Sequence, residues 1–315
     1  MAIIEVEHLI KRYTKAEVNA VDDISFQVQA GEFFCLLGPN GAGKTTTISI
    51  LTTTRQATSG RVQIAGYDAN SQASEVRSQI GIIFQNPSLD LNLTAEENVR
   101  FHAVLYGLYT FRPFYALMPQ AYKDKIEELA HVLGIEKEMF KPVKTFSGGM
   151  KRKLEIIRSL IHNPKVLFLD EPTTGLDPLS RRNLWDYLGK VRAETDTTVF
   201  LTTHYLEEAE AADQVCIIDH GKITAMGTPE QLKARFTERY LLIEAEDRAP
   251  LLHELGALAY GFREQGPYLR VELNGQTAHA MLKTIQTPLS YVHVHSQTLE
   301  DAYLAIVEKS EHVSE

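Results

Sequence analysis

Gly38-Pro39-Asn40-Gly41-Ala42-Gly43-Lys44-Thr45 follows directly on the apolar run Phe33-Phe34-Cys35-Leu36-Leu37. A buried strand that breaks into a glycine-rich loop and resumes as a helix is the local reading, and the loop fits G-x-x-x-x-G-K-[ST] at every specified position. Glycines at 38, 41 and 43 let the backbone curl so that successive N–H groups face one point, and a helix opening at Lys44 adds its positive end. Such a loop cradles the phosphates of a nucleoside triphosphate. Lys44 is expected to reach the β- and γ-phosphates and the Thr45 hydroxyl to ligate Mg²⁺. Thr46 to Leu51 continues in a helix-compatible pattern.

A second strand-end motif, Val166-Leu167-Phe168-Leu169-Asp170-Glu171-Pro172, is an unbroken apolar run closing in two acids. Continuous apolarity suits a buried parallel strand, and ligand groups of open α/β sheets gather at the carboxyl ends of such strands. If both acids lie on the strand, the pleat sends them to opposite sides, so Asp170 organises Mg²⁺ while Glu171 polarises the attacking water. Between the two motifs, Ser147-Gly148-Gly149 opens a stretch whose apolar positions Leu154, Ile157, Leu160 and Ile161 recur at three- and four-residue spacing. A capped helix start of this kind is a second anion site.

With these motifs in this order, residues 2 to 230 resemble the ATP-binding subunit of an ATP-binding cassette (ABC) transporter. The resemblance implies a P-loop α/β core with an antiparallel β subdomain and a helical subdomain, and ATP and Mg²⁺ as ligands. It places Tyr13 where an aromatic stacks on adenine, Gly38 to Thr46 as the Walker A loop, and Gln85 as the Q-loop glutamine that helps hold the metal. Ser147, Gly148 and Gly149 match the signature motif, Asp170 and Glu171 the Walker B acid and catalytic glutamate, Asp177 the D-loop, and His204 the switch histidine. Phe146 and Met150 stand where the commonest signature has Leu and Gln, but the Ser-Gly-Gly core is intact. The resemblance also implies a head-to-tail pair of cassettes, most simply a homodimer, in which each ATP lies between Walker A of one chain and the signature of the other. A separate membrane permease is the implied partner.

Composition agrees with a globular chain: 44% apolar and 23% charged over 315 residues, enough for one large and one small domain. No run approaches the roughly 20 apolar residues that span a bilayer. Met1-Ala2-Ile3-Ile4-Glu5 has neither the basic nor the apolar segment of a secretory signal, which predicts a chain at the cytoplasmic face of the membrane, bound to its permease. A net charge of −9 argues against nucleic acid as partner, although Lys151, Arg152 and Lys153 suggest a local basic patch. Cys35 and Cys216, each in an apolar run, read as buried free thiols.

Turn signals set the organisation: a cassette over 1–230, with a helical subdomain at about 86–160, and an accessory domain over 231–315. The cassette's expected elements include a strand over Arg61 to Gly66 after a Ser59-Gly60 turn, helices over 179–194 and 205–212, and a hairpin about His220-Gly221. Past Arg239, alternating segments at 240–245, 258–264, 268–273 and 290–295 interleave with helical patterns at 249–257, 276–287 and 298–308. Strand, helix, strand, strand, helix, strand, helix is a ferredoxin-like order. The closing Thr298-Leu299-Glu300-Asp301-Ala302-Tyr303 resembles drug- and antibiotic-resistance exporters. His293 and His295 share a strand face but lack a third ligand nearby. The aromatic stretch from Tyr106 to Pro119, interrupted by Pro113 and Pro119, is either internal packing or an exposed contact patch. A drug, antibiotic, lipid or polysaccharide exporter is the reading carried forward. The alternative is a soluble cassette ATPase acting on nucleic acid or ribosomes, but the chain has neither the long coiled coil nor the second phosphate loop of such relatives.

Overall fold

The computed structural model describes residues 1–14, 16–84, 88–174, 176–236 and 239–312. The chain divides into two compact units, Met1–Met226 and Gly227–Glu315. No helix among the described residues is long and apolar enough to cross a membrane.

The first unit is built on two sheets. Alternating segments form an antiparallel sheet of β1 (Ala2–Lys11), β2 (Val21–Gln29), β4 (Ser59–Ile64) and β5 (Tyr67–Asp68), in the order β2-β1-β4-β5. The strand expected from Arg61 begins two residues earlier, because Gly60, at φ 95°, enters the ladder: a Cβ there would lie 2.3 Å from the His8 carbonyl oxygen. The wholly apolar runs form the second sheet, from β3 (Phe33–Leu37), β6 (Ile80–Ile83), β7 (Val166–Asp170), β8 (Thr198–Thr203), β9 (Gln214–Asp219) and β10 (Lys222–Gly227). Their order is β10-β9-β3-β8-β7-β6, and β6, β7, β8, β3 and β9 run parallel. The β9–β10 hairpin turns on His220 and Gly221 at φ 44° and 78°, the two left-handed positions of a type I′ turn. Phe34, Phe200 and Phe168 lie side by side in register on β3, β8 and β7, and Phe26 from β2 stacks on Phe34 with ring centroids 5.2 Å apart. These rings join the two sheets into one core.

Helices α1 (Lys44–Leu51), α2 (Ala73–Gln79), α6 (Pro178–Thr195) and α7 (Leu206–Ala209) accompany this core. The helical insertion comprises α3 (Ala95–Leu105), α4 (Gln120–Leu133) and α5 (Gly148–Leu160). A Thr94–Glu97 capping box starts α3, and Gly134, at φ 63°, ends α4. The proline-broken aromatic stretch between them holds only a single 3₁₀ turn, Tyr115–Leu117. Its side chains divide. Tyr106 packs between His102 and His162, and Tyr109 sets its edge against buried Tyr122, whereas Phe111 and Phe114 are 58% and 67% exposed.

The second unit contains α8 (Pro229–Phe236), β11 (Tyr240–Ala245), α9 (Arg248–Ala257), β12 (Phe262–Gln265), β13 (Tyr268–Glu272), α10 (Ala278–Thr284), β14 (Leu289–His295) and α11 (Leu299–His312). Its sheet is fully antiparallel in the order β12-β13-β11-β14, the ferredoxin-like arrangement. Leu241, Ile243, Leu269 and Val271 bury one face against Leu251, Leu255 and Met281. On the other face His295 stacks on Tyr240 and bonds Asp301 at 2.9 Å, a structural task for one of the paired histidines.

Candidate active site

Because β3, β7 and β8 are neighbours, their carboxyl ends arrive together: Leu37 pairs with Thr203, and Asp170 with Thr202. That edge collects the glycine loop, the two acids and His204. The loop leaves β3 under tight steric rule. A Cβ at Gly38 would sit 2.2 Å from the Ile218 carbonyl oxygen, and one at Gly43, at φ 108°, 2.5 Å from that of Ala20. Gly43 is the N-cap of α1 and offers no side-chain acceptor, so the first amides of α1 keep their donors for a ligand. Ala42 accepts the Gly221 N–H at 3.0 Å, which ties the loop to the hairpin turn. Pro39, Asn40 and Gly41 form the crest, and Thr45 is exposed on the first turn of α1.

Lys44 is 4% exposed. Its Nζ donates to the Gly38 and Pro39 carbonyls at 2.7 and 3.0 Å and lies 3.8 Å from Glu171 Oε1. Burial pushes its pKa down, while Glu171 and Asp170 push it back up. Asp170 ends β7, with Oδ1 accepting the Thr202 hydroxyl at 2.6 Å. Burial raises the Asp170 pKa, opposed in part by that bond. Glu171 corrects the expectation that the acids alternate along one strand. The strand stops at Asp170, and Glu171 turns into left-handed backbone at φ 46°, its N–H donating to the Thr202 carbonyl. The reversal keeps both acids at the strand end, 4% and 7% exposed, and brings Glu171 Oε1 to 3.3 Å from His204 Nδ1.

The other residues singled out in the sequence stand in separate places. Tyr13 is half-buried, with its hydroxyl 3.2 Å from that of Thr46 and the Arg55 guanidinium 5.4 Å from its ring. Ser147 caps α5 by accepting the Met150 N–H at 3.2 Å, and Gly149 faces Ser180, whose oxygen would lie 3.3 Å from an added Cβ. Asp177 caps α6 by accepting from the Ser180 N–H and hydroxyl, bonds that lower its pKa. Thus Ser147, Gly148 and Gly149 adjoin the Asp177 cap of their own chain, apart from the cluster of Lys44, Glu171 and His204. Gln85 lies outside the described residues.

The expected basic patch needs correction, since Arg152 is 6% exposed and turned inward. It donates to the carbonyls of Pro172 at 2.7 Å and Phe84 at 2.6 Å and pairs with fully buried Glu155 at 2.9 Å. Glu155 in turn accepts the Ser88 N–H at 3.1 Å. The i, i+3 spacing of Arg152 and Glu155 was the available signal for this pair, and a run of three basic residues masked it. A cavity of about 870 Å³ lined by Lys125, Leu129, Lys165 and Thr197 opens at the amino ends of β7 and β8, the side away from the glycine loop.

The family model described as ABC transporter matches residues 21–174. The daunorubicin/doxorubicin resistance ATP-binding protein DrrA of Streptomyces peucetius is 35% identical over 96% of this chain and 92% of its own length. The chain belongs to the ABC transporter ATP-binding family. A doxorubicin resistance ATP-binding protein of Mycobacterium tuberculosis strain H37Rv is 39% identical over 82% of the chain and 76% of that protein. A Nod factor export ATP-binding protein of Burkholderia pseudomallei strain K96243 is 35% identical over 97% of both. Among solved structures, an ATP-binding subunit of an ABC transporter superposes at TM-score 0.65 with 31% identity, covering 74% of this chain and 93% of that one. A dimeric cassette in a post-hydrolysis state with ADP and Pi gives 0.64 and 25%, covering 71% and 98%. The cassette is therefore an ATP-binding, ATP-hydrolysing one, with the fold expected from its motifs.

Proposed function

We propose that this cassette powers export through a separate membrane permease, working as a head-to-tail pair of identical chains at the cytoplasmic face of the membrane. The observation that carries the reading is the buried cluster at the carboxyl ends of β3, β7 and β8, in which Glu171 Oε1 lies 3.3 Å from His204 Nδ1 and 3.8 Å from Lys44 Nζ. In this reading the Gly38–Thr45 loop and the amino end of α1 hold the ATP phosphates, Lys44 leaves its carbonyl partners for the γ-phosphate, and Tyr13 stacks on adenine. Glu171 takes the proton of the attacking water, and His204 holds water and γ-phosphate in line.

The donor set fits Mg²⁺. Thr202 engages only Oδ1 of Asp170, and burial that raises this carboxyl's pKa is relieved by a cation beside it. Asp170 and the Thr45 hydroxyl are hard oxygen donors, and Gln85 is proposed with them. The ion would supply charge neutralisation across the phosphates. Ser147, Gly148 and Gly149, away from their own chain's Lys44 cluster, are free to close on the partner's ATP, with Asp177 beside them. Residues 1–230 would serve as the cassette and 231–315 as an accessory domain. Exposed Phe111 and Phe114 suit contact with the permease. The names of the relatives favour an exported drug, antibiotic or glycolipid-like signal.

The test is a detergent pull-down of tagged full-length Glu171→Gln chain in MgATP from its native cells. A polytopic membrane protein in near-equal amount supports the transporter. Ribosomal proteins or nucleic acid in its place would overturn it in favour of a soluble ATPase.

A further inference from the structure

We propose that Glu208 is a positioning residue for hydrolysis, holding the chain segments of Glu171 and His204 at a fixed separation; the inference rests on the roles proposed above for those two groups. Glu208 lies on α7 and is 4% exposed. Its Oε1 accepts the hydroxyl of Thr173 in a short bond, and its Oε2 accepts that of Thr203 at 2.6 Å. Both threonines are fully buried. Thr173 follows Glu171 by two residues, and Thr203 immediately precedes His204. The Thr203 oxygen also accepts the Tyr205 N–H at 2.9 Å, so both chain neighbours of His204 are tied through one hydroxyl to Glu208.

Glu171 needs such support. Its left-handed φ of 46° is unfavourable for a side-chain-bearing residue and persists only where the surroundings over-determine it. Thr173 bound to Glu208 holds the chain just after it, and Arg152 bound to the Pro172 carbonyl holds the same turn from α5. Among the described residues Glu208 has no basic partner, and two hydroxyl donors are a thin compensation for burying a carboxylate. An apolar side chain of that volume would serve stability better. What the carboxylate supplies is a two-pronged acceptor that spans the ends of β7 and β8.

The experiment measures ATP turnover by the full-length chain at saturating MgATP. Misplacement of about 1 Å at reacting groups is worth up to about 10²-fold, so Glu208→Ala is expected to lower kcat about 10- to 100-fold with the KM for ATP changed less than about twofold. Thr203→Val should reproduce the loss, and Thr203→Ser, which keeps the hydroxyl, should recover most of it. In a Glu171→Gln background Glu208→Ala should add nothing further, whereas general loosening would still lower the rate. A kcat for Glu208→Ala within threefold of the parent, beside a slow Glu171→Gln, overturns the inference and leaves the site reading intact. Normal turnover by Glu171→Gln itself would overturn both. Should Glu208→Ala fail to fold, the Thr203→Val and Thr203→Ser pair decides on the same readout, equal rates being the overturning result.

Discussion

Replacing Arg152 by Met should destabilise the first unit far more than a surface basic residue would allow. Met is apolar and of similar length, but it strips fully buried Glu155 of its counter-charge and leaves it only the Ser88 N–H. It also removes the donors to the Phe84 and Pro172 carbonyls. Breaking one side of a buried ion pair costs about 3–5 kcal/mol, a large part of the roughly 5–15 kcal/mol that holds a domain folded. For a unit of this size each kcal/mol moves Tm by about 2–4 °C, so the expected drop is roughly 6–20 °C. The double variant Arg152→Met with Glu155→Leu removes both charges and should regain most of the loss, since an apolar replacement of a buried pair is often neutral or better. Differential scanning calorimetry of the full-length chain, with added ATP identifying the transition of the nucleotide-binding unit, reads both variants. A single-variant shift below about 2 °C, or a double variant no better than the single, would refute the claim that this pair is buried and mutually dependent.

Glu171→Gln keeps volume and removes the base, so single-turnover hydrolysis should slow by about 10²- to 10⁴-fold with nucleotide affinity retained; turnover within a few-fold of the parent would reassign the base. Lys44→Ala removes a charge-assisted contact to phosphate worth about 1.5–3 kcal/mol, and equilibrium ATP binding should weaken by roughly 10- to 100-fold. His102 has Nε2 buried without a hydrogen-bond partner among the described residues, and burial, with Arg158 and His162 adding to it, lowers its pKa from 6.5 to about 3. The unfolded chain therefore binds the proton first, and this residue's share of stability, full above pH 6.5, is lost progressively as pH falls toward 3. Urea midpoints measured across that range should fall less steeply for His102→Phe than for the parent, and equal slopes would count against a neutral buried imidazole.

How much was legible before folding follows from the range over which each signal acts. The apolar runs ending in Gly38 and in Asp170 predicted parallel core strands with the chemistry at their carboxyl ends, because burial on both faces demands continuous apolarity. The second unit's alternating pattern likewise predicted its element order, and antiparallel pairing in the order β12-β13-β11-β14 agrees with it. Local steric and hydrophobic rules suffice for those statements. The left-handed backbone of Glu171, by contrast, depends on the Thr202 carbonyl of a neighbouring strand. Arg152 reads as one of three basic residues until α5 is laid against carbonyls 68 and 20 residues away. Glu208 carries no motif at all, and its grip on Thr173 and Thr203 exists only once β7 and β8 lie side by side. The aromatic stretch from Tyr106 to Pro119 divides into packed tyrosines and exposed phenylalanines by the same logic. By itself the sequence determined which backbone segments are strands, helices and phosphate loop, since periodicity and glycine placement act locally. Only the tertiary structure decided which charged groups are buried and what they hold, because that depends on contacts between segments distant along the chain.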